Sequence, residues 1–179
     1  MTRTYVSTVI PHPADTVWAM VKDFQEYRWG EGVGEATIEN DLDSNTPGAI
    51  RRFAYYDRQS RQRLVTHSAE DRMQSWESVE AFDPTLSYYK ATLRITPVTT
   101  SGSSFVEWWS DFEATAESMH DWQTMQQREF GKSLARLLAH SPEIQPELGI
   151  VGPVGNRGLE QALALVEALC GDKGCGAAD

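Results

Sequence analysis

Proton-transfer chemistry in this 179-residue chain would fall to one carboxyl and two phenols, Glu129, Tyr55 and Tyr89. Glu129 sits in a segment of helical period, with Met125 one turn before it and Ser133 one turn after, so the three share a side of that helix. A carboxyl facing an aromatic wall is hard to ionise and suits general acid or base work. The alternative is that it pairs with a cation such as Arg51 or tilts outward. Tyr55 and Tyr89 can orient or protonate a carbonyl, or pack as aromatic residues with a polar tip. Gln62, Ser78 and Ser110 can bind a ligand carbonyl or hold a water. Arg51, in GAIRRF, either clamps a carboxylate at a rim or bridges two strands as an ion pair.

Other chemistries have little footing. The four His and two Cys do not cluster, and HExxH, CxxC and GxSxG are absent, so no metal site and no cofactor is expected. WGEGVG lacks the strand and helix that a phosphate-cradling glycine loop requires. Glu107, Asp111 and Glu113 recur on one strand face; a retaining hydrolase uses such a pair, but a solvated outer sheet face is the simpler reading. Cys170 and Cys175 read as a feature of the C-terminal tail.

Composition narrows the partners. Net charge is −10 and the pI near 4.8. Nucleic-acid affinity rests on cations that neutralise phosphates, so no nucleic-acid partner is expected, nor an anionic membrane surface. No apolar run approaches ~18 residues, so no membrane insertion is expected. Thr-Arg-Thr-Tyr after Met1 lacks the apolar core of a signal peptide, and two Cys cannot staple a core; a cytoplasmic location follows as the expectation.

These residues must be positioned by one ordered set of elements. Tyr5 to Ile10 alternates, and Thr4 to Ile10 reads as the first strand. Pro11 and Pro13 end it, Pro13 suits the first turn of a helix, and Asp15 suits that helix's positive end. Val17, Trp18, Met20, Val21 and Phe24 form an apolar face at helical spacing. Gln25 to Gly34 is turn-like. Glu35 to Glu113 alternates with period two and yields six more strands, and Ser118 to His140 returns to helical period with a stripe of Trp122, Gln126, Phe130, Leu134, Leu137 and Leu138. A run of strands without intervening helices predicts an α+β protein with a seven-stranded antiparallel sheet curled around a long helix. After His140, three Pro and four Gly in SPEIQPELGIVGPVGNRG read as a linker. A Leu/Ala-rich helix from Leu159 to Cys170 follows, with an apolar stripe that would serve self-association. The expected organisation is a domain over 1–140 and a linker, short helix and tail over 141–179.

VWAMVKDFQEYRW, GAIRRF and YYKATLRITPV…SFVEWWSDFEA carry a resemblance. The chain resembles the START-like SRPBCC superfamily in its bacterial polyketide cyclase/dehydrase-like branch, whose helix-grip fold also occurs in birch pollen allergen relatives and abscisic acid receptors. The resemblance spans Thr4 to His140 and implies two short helices after the first strand. By register with that superfamily, Arg51, Phe53, Tyr55, Gln62, Leu64, Trp76, Ser78, Tyr89, Ala91, Leu93, Trp108, Ser110 and Phe112 belong to inward strand faces. Met125, Glu129 and Ser133 face the same cavity from the helix. It implies a hydrophobic, aromatic or polyketide-type small molecule, cyclised or dehydrated by positioning and proton transfer at Glu129, Tyr89 or Tyr55. The alternative within the same fold is a non-catalytic carrier, sensor or resistance protein.

Overall fold

Strand β1, Thr2–Ile10, ends where the two prolines interrupt it, and Pro13 caps helix α1, Ala14–Val21, one position earlier than its first turn. The helix buries Ala14, Val17, Trp18 and Val21, the face set by their spacing. Its end is tied to the sheet by Gln74, whose Nε2 donates to the Val21 carbonyl at 2.7 Å. Strands β2 (Val33–Ile38), β3 (Ile50–Tyr55), β4 (Arg58–Ser68), β5 (Met73–Ser78), β6 (Leu86–Val98) and β7 (Ser103–Ala114) follow, then helix α2, Met119–Ala139. This computed structural model describes residues 1–81 and 83–140. The linker, the helix from Leu159 to Cys170 and the two cysteines read from the sequence lie outside the described residues.

The seven strands form one sheet in the order β1-β7-β6-β5-β4-β3-β2, with antiparallel neighbours throughout. Register shifts at Val33/Ala36, Leu64/Thr66 and Leu86/Tyr88 interrupt the ladder, and such bulges add bend and twist to a sheet. One expectation is corrected: a single short helix, not two, follows β1 among the described residues. The chain from Gln25 to Gly32 instead folds as turns, with Gly30 N–H donating to the Tyr27 carbonyl and Gly32 at φ 68°. A Cβ on Gly32 would lie 2.5 Å from the Tyr56 ring, so the loop needs glycine for close approach as well as for its backbone angle.

Alternation along β7 decides which face is inside. Ser104, Val106, Trp108, Ser110 and Phe112 are buried. Outside, Glu107 accepts from Arg94 and from the Tyr5 hydroxyl, and Asp111 accepts both bonds of an Arg3 fork. Arg94 and Arg3 are the direct cross-strand neighbours of those carboxylates. Helix α2 buries Gln126, Glu129, Phe130, Ser133, Leu134 and Leu137. Phe130 stacks on Trp108 with centroids 4.0 Å apart and planes 8° from parallel.

Asp83 knits the far end together. Its carboxylate accepts from Thr85 N–H and hydroxyl and from Arg58, while the Thr85 hydroxyl accepts from the Trp122 indole of α2. The two Thr85 bonds, with Arg58, hold the Asp83 pKa down at about 2. Because the folded value lies below the unfolded one, this stabilisation is present above pH 3.8 and is lost as pH falls through about 2. Arg58 is half exposed, so the net effect is on the order of 1 kcal/mol. Denaturant titrations of wild type and Asp83→Asn should differ by that amount at pH 6, and the difference should shrink toward pH 2 and vanish only below it.

Candidate functional site

A cavity of about 70 Å³ lies between the concave sheet face and α2. Nine of the residues singled out from the sequence line it: Phe53, Tyr55, Gln62, Ser78, Tyr89, Trp108, Met125, Glu129 and Ser133. Seven others do not. Leu64, Trp76, Ala91 and Ser110 occupy one cross-sheet row, paired successively across β4, β5, β6 and β7. Side chains cover two of the four, and Leu64 and Ala91 are buried beside them: Trp76 lies edge-on to Tyr27 at 6.1 Å and 6.0 Å from Trp108, and the Ser110 hydroxyl donates to Gln126 Oε1. Leu93 and Phe112 are wholly buried outside the cavity wall. Aromatic packing thus fills much of the chamber that alternation alone leaves open. A cavity of roughly 150 Å³ is what holds a benzene in a dry core, so this one accepts only a small group without movement.

Arg51 is the seventh, and neither expectation for it holds. It is 1% exposed, away from any rim, and no carboxylate lies within ion-pair distance of it among the described residues. Its Nε and Nη2 donate to Gln62 Oε1 at 3.1 and 2.6 Å, and Nη1 donates to the Phe24 carbonyl at 2.8 Å. The guanidinium carbon sits 4.1 Å over the Phe24 ring and 3.8 Å over that of Tyr27. Ring faces and two neutral oxygens replace the anion, which suits the delocalised, weakly hydrated guanidinium. Burial lowers its pKa to about 10, so it remains charged at neutral pH.

Glu129, 4% exposed, is paired with cations rather than isolated among rings. Oε1 accepts from Arg128 Nε at 2.9 Å, with Lys132 Nζ at 3.6 Å, and Oε2 accepts from the Tyr56 hydroxyl at 2.5 Å. Tyr56 had no sequence signal. It sits at the β3–β4 turn with φ 50° and half its surface in solvent, and only folding brings it to α2. Its N–H donates to the Gly32 carbonyl, so turn, loop and helix meet at one edge of the cavity. Ser133 reinforces that edge: its hydroxyl accepts from Glu31 N–H and donates to the Glu129 carbonyl. Arg136 pairs with the Glu31 carboxylate.

Burial raises the pKa of Tyr55, to which Glu129, Tyr27 and Tyr56 add, and burial likewise raises that of Tyr89 against a smaller opposing pull from Arg51. Both phenols therefore stay protonated and act as hydrogen-bond donors rather than bases. Tyr27, Glu31, Ser60, Leu86, Trp122, Gln126 and Phe130 also line the cavity. Ser60 was accessible by counting two residues back from Gln62 along the inward face. Gln126 and Phe130 were already on the helix stripe, read there as packing. Tyr27 and Glu31 belong to a loop with no periodicity to read.

A family described as "Polyketide cyclase / dehydrase and lipid transport" matches residues 1–141, and the chain belongs to it. No curated protein matches the sequence. Among solved structures, one from Thermobifida fusca is 22% identical, covers 84% of this chain and all of its own, and superposes with a TM-score of 0.72. The protein XoxI from Bacillus cereus is 20% identical, covering 81% of this chain and 99% of its own, with a TM-score of 0.70. Major latex-like protein 151 of Panax ginseng is 15% identical, covering 78% and 97%, with a TM-score of 0.66. At these identities the likeness is one of fold, the helix-grip arrangement read from the sequence. Membership of the family points to a hydrophobic small-molecule ligand.

The carboxylate is part of what holds the Tyr56 phenol up at about 12, together with burial, which is the larger cause. Spectrophotometric titration at 295 nm should show a lower midpoint for Tyr56 in Glu129→Gln than in wild type, and a smaller difference between Glu129→Gln/Tyr56→Phe and Tyr56→Phe, where only the effect of the carboxylate on Tyr55 remains.

Proposed function

We propose that the protein binds a hydrophobic, aromatic or polyketide-type small molecule in this cavity and assists its cyclisation or dehydration. The observation that supports the reading is the cavity wall itself, where Trp108, Phe53, Phe130 and Leu86 line the same space as Gln62, Tyr55, Tyr89 and Ser78. A mostly apolar pocket with a few placed polar groups is the usual form of a small-molecule site. A flexible chain of carbonyls held in one fold gains most of its acceleration from proximity. Protonated Tyr55 and Tyr89 would polarise a carbonyl, and Glu129 would exchange the proton. A ligand larger than a small ring displaces wall side chains, and unbranched Met125 is the most adaptable of them.

One observation favours a second reading, a non-catalytic carrier or sensor. Glu129 already has three partners, which suits a structural post at the cavity edge as well as a proton shuttle.

Binding is tested by tryptophan fluorescence with 1-naphthol, since Trp108 lines the cavity and Trp29 lies 5.2 Å from it. Met125→Trp should weaken binding at least ~10-fold with the fold retained by circular dichroism, because the larger ring occupies the void. Chemistry is tested with a poly-β-ketone substrate. Glu129→Gln should reduce turnover by about 10²-fold while changing binding less than about twofold. Equal turnover removes Glu129 from the mechanism, and binding without turnover by wild type supports the carrier.

A further inference from the structure

Gln62 and Arg51 face each other across β3 and β4 as direct register partners. A guanidinium has only donors, so the Gln62 atom it grips twice, at 3.1 and 2.6 Å, is the amide oxygen. That fixes the amide plane and turns Nε2 the other way. Gln62 is 6% exposed and part of the cavity wall, and no group among the described residues accepts a hydrogen bond from its Nε2. Nε2 of Gln126 and Nε1 of Trp108 are also unpartnered but fully enclosed. Nε2 of Gln62 is not sealed in this way and keeps access to the void.

We infer that Gln62 is a specificity-determining residue that selects ligands presenting a hydrogen-bond acceptor, a ketone, enolate or carboxylate oxygen, with Arg51 as the residue that positions it. This rests on the small-molecule reading of the cavity and names the ligand's polar group. Two effects act together. A ligand that displaces water from the void leaves this donor without a partner unless it brings an acceptor of its own, so a ligand lacking one pays the cost of an unmade hydrogen bond. Arg51 carries a buried positive charge without a carboxylate counter-charge, and its two bonds to the amide oxygen polarise the Gln62 N–H toward stronger donation. The carboxylates on the wall do not compete for this donor, since Glu129 is held by Tyr56 and Arg128 and Glu31 by Arg136.

The test uses two probes of nearly the same shape, cyclopentanone and methylenecyclopentane, which differ in carrying C=O or C=CH₂. Dissociation constants are read from NMR titration of the full chain. An apolar pocket without the donor would favour the hydrocarbon. Wild type should instead bind the ketone about 10-fold more tightly, the worth of one good hydrogen bond. Gln62→Met should abolish that preference while hydrocarbon affinity stays within about twofold. Gln62→Glu, which keeps shape and pairs with Arg51 but lacks the donor, should do the same. In wild type the Gln62 side-chain amide resonances should shift with ketone and not with hydrocarbon. Equal or reversed preference in wild type, or a preference that survives both substitutions, overturns the role of Gln62 and leaves the cavity reading standing. Failure of both probes and of 1-naphthol to bind overturns the two readings together.

Discussion

The stack of Trp108 on Phe130 is the contact on which the rest of the structure depends. It is the point where the middle of β7 meets the middle of α2, with rings nearly parallel and both residues buried. Face-to-face contact at 4.0 Å sets how close helix and sheet approach. Trp29 and Trp76 lean on the same indole from the loop after α1 and from β5. Once this cluster is packed, the chamber under the helix is mostly filled, and what remains is the smaller space toward Gln62, Tyr89 and Met125.

Arg51 and Glu129 are accommodated beside that space in opposite ways. Arg51 is buried with ring faces and neutral oxygens, and it directs a neutral amide toward the cavity. Glu129 has cations and a phenol within reach. The Arg51 charge thus has no carboxylate beside it behind Gln62, whereas the Glu129 carboxylate is matched by Arg128 and Lys132 at the helix.

Much of this was legible in the residues. Alternation in β7 separates Trp108 and Phe112 from Glu107 and Asp111, because an unpaired carboxylate is costly to bury while a paired one outside is not. The i, i+4 spacing of Met125, Glu129 and Ser133 put all three on the cavity wall. The limit came with side-chain volume. Trp76 has the inward parity of Ser78 on the same strand, yet Tyr27 and Trp108 pack against it. Period two says which face a residue takes, not what lies above it.

By itself the sequence determined the run of antiparallel strands, the long helix after it and the inward parity of β6 and β7, since these follow from local periodicity and the cost of burying charge. Only the tertiary structure decided that Arg51 binds Gln62, that Tyr56 reaches Glu129 across 73 residues and that seven inward residues lie outside the cavity wall. Those facts depend on which side chains meet across the sheet and over the helix. Contacts of that kind leave no period in the chain, because their partners are set by packing and not by spacing.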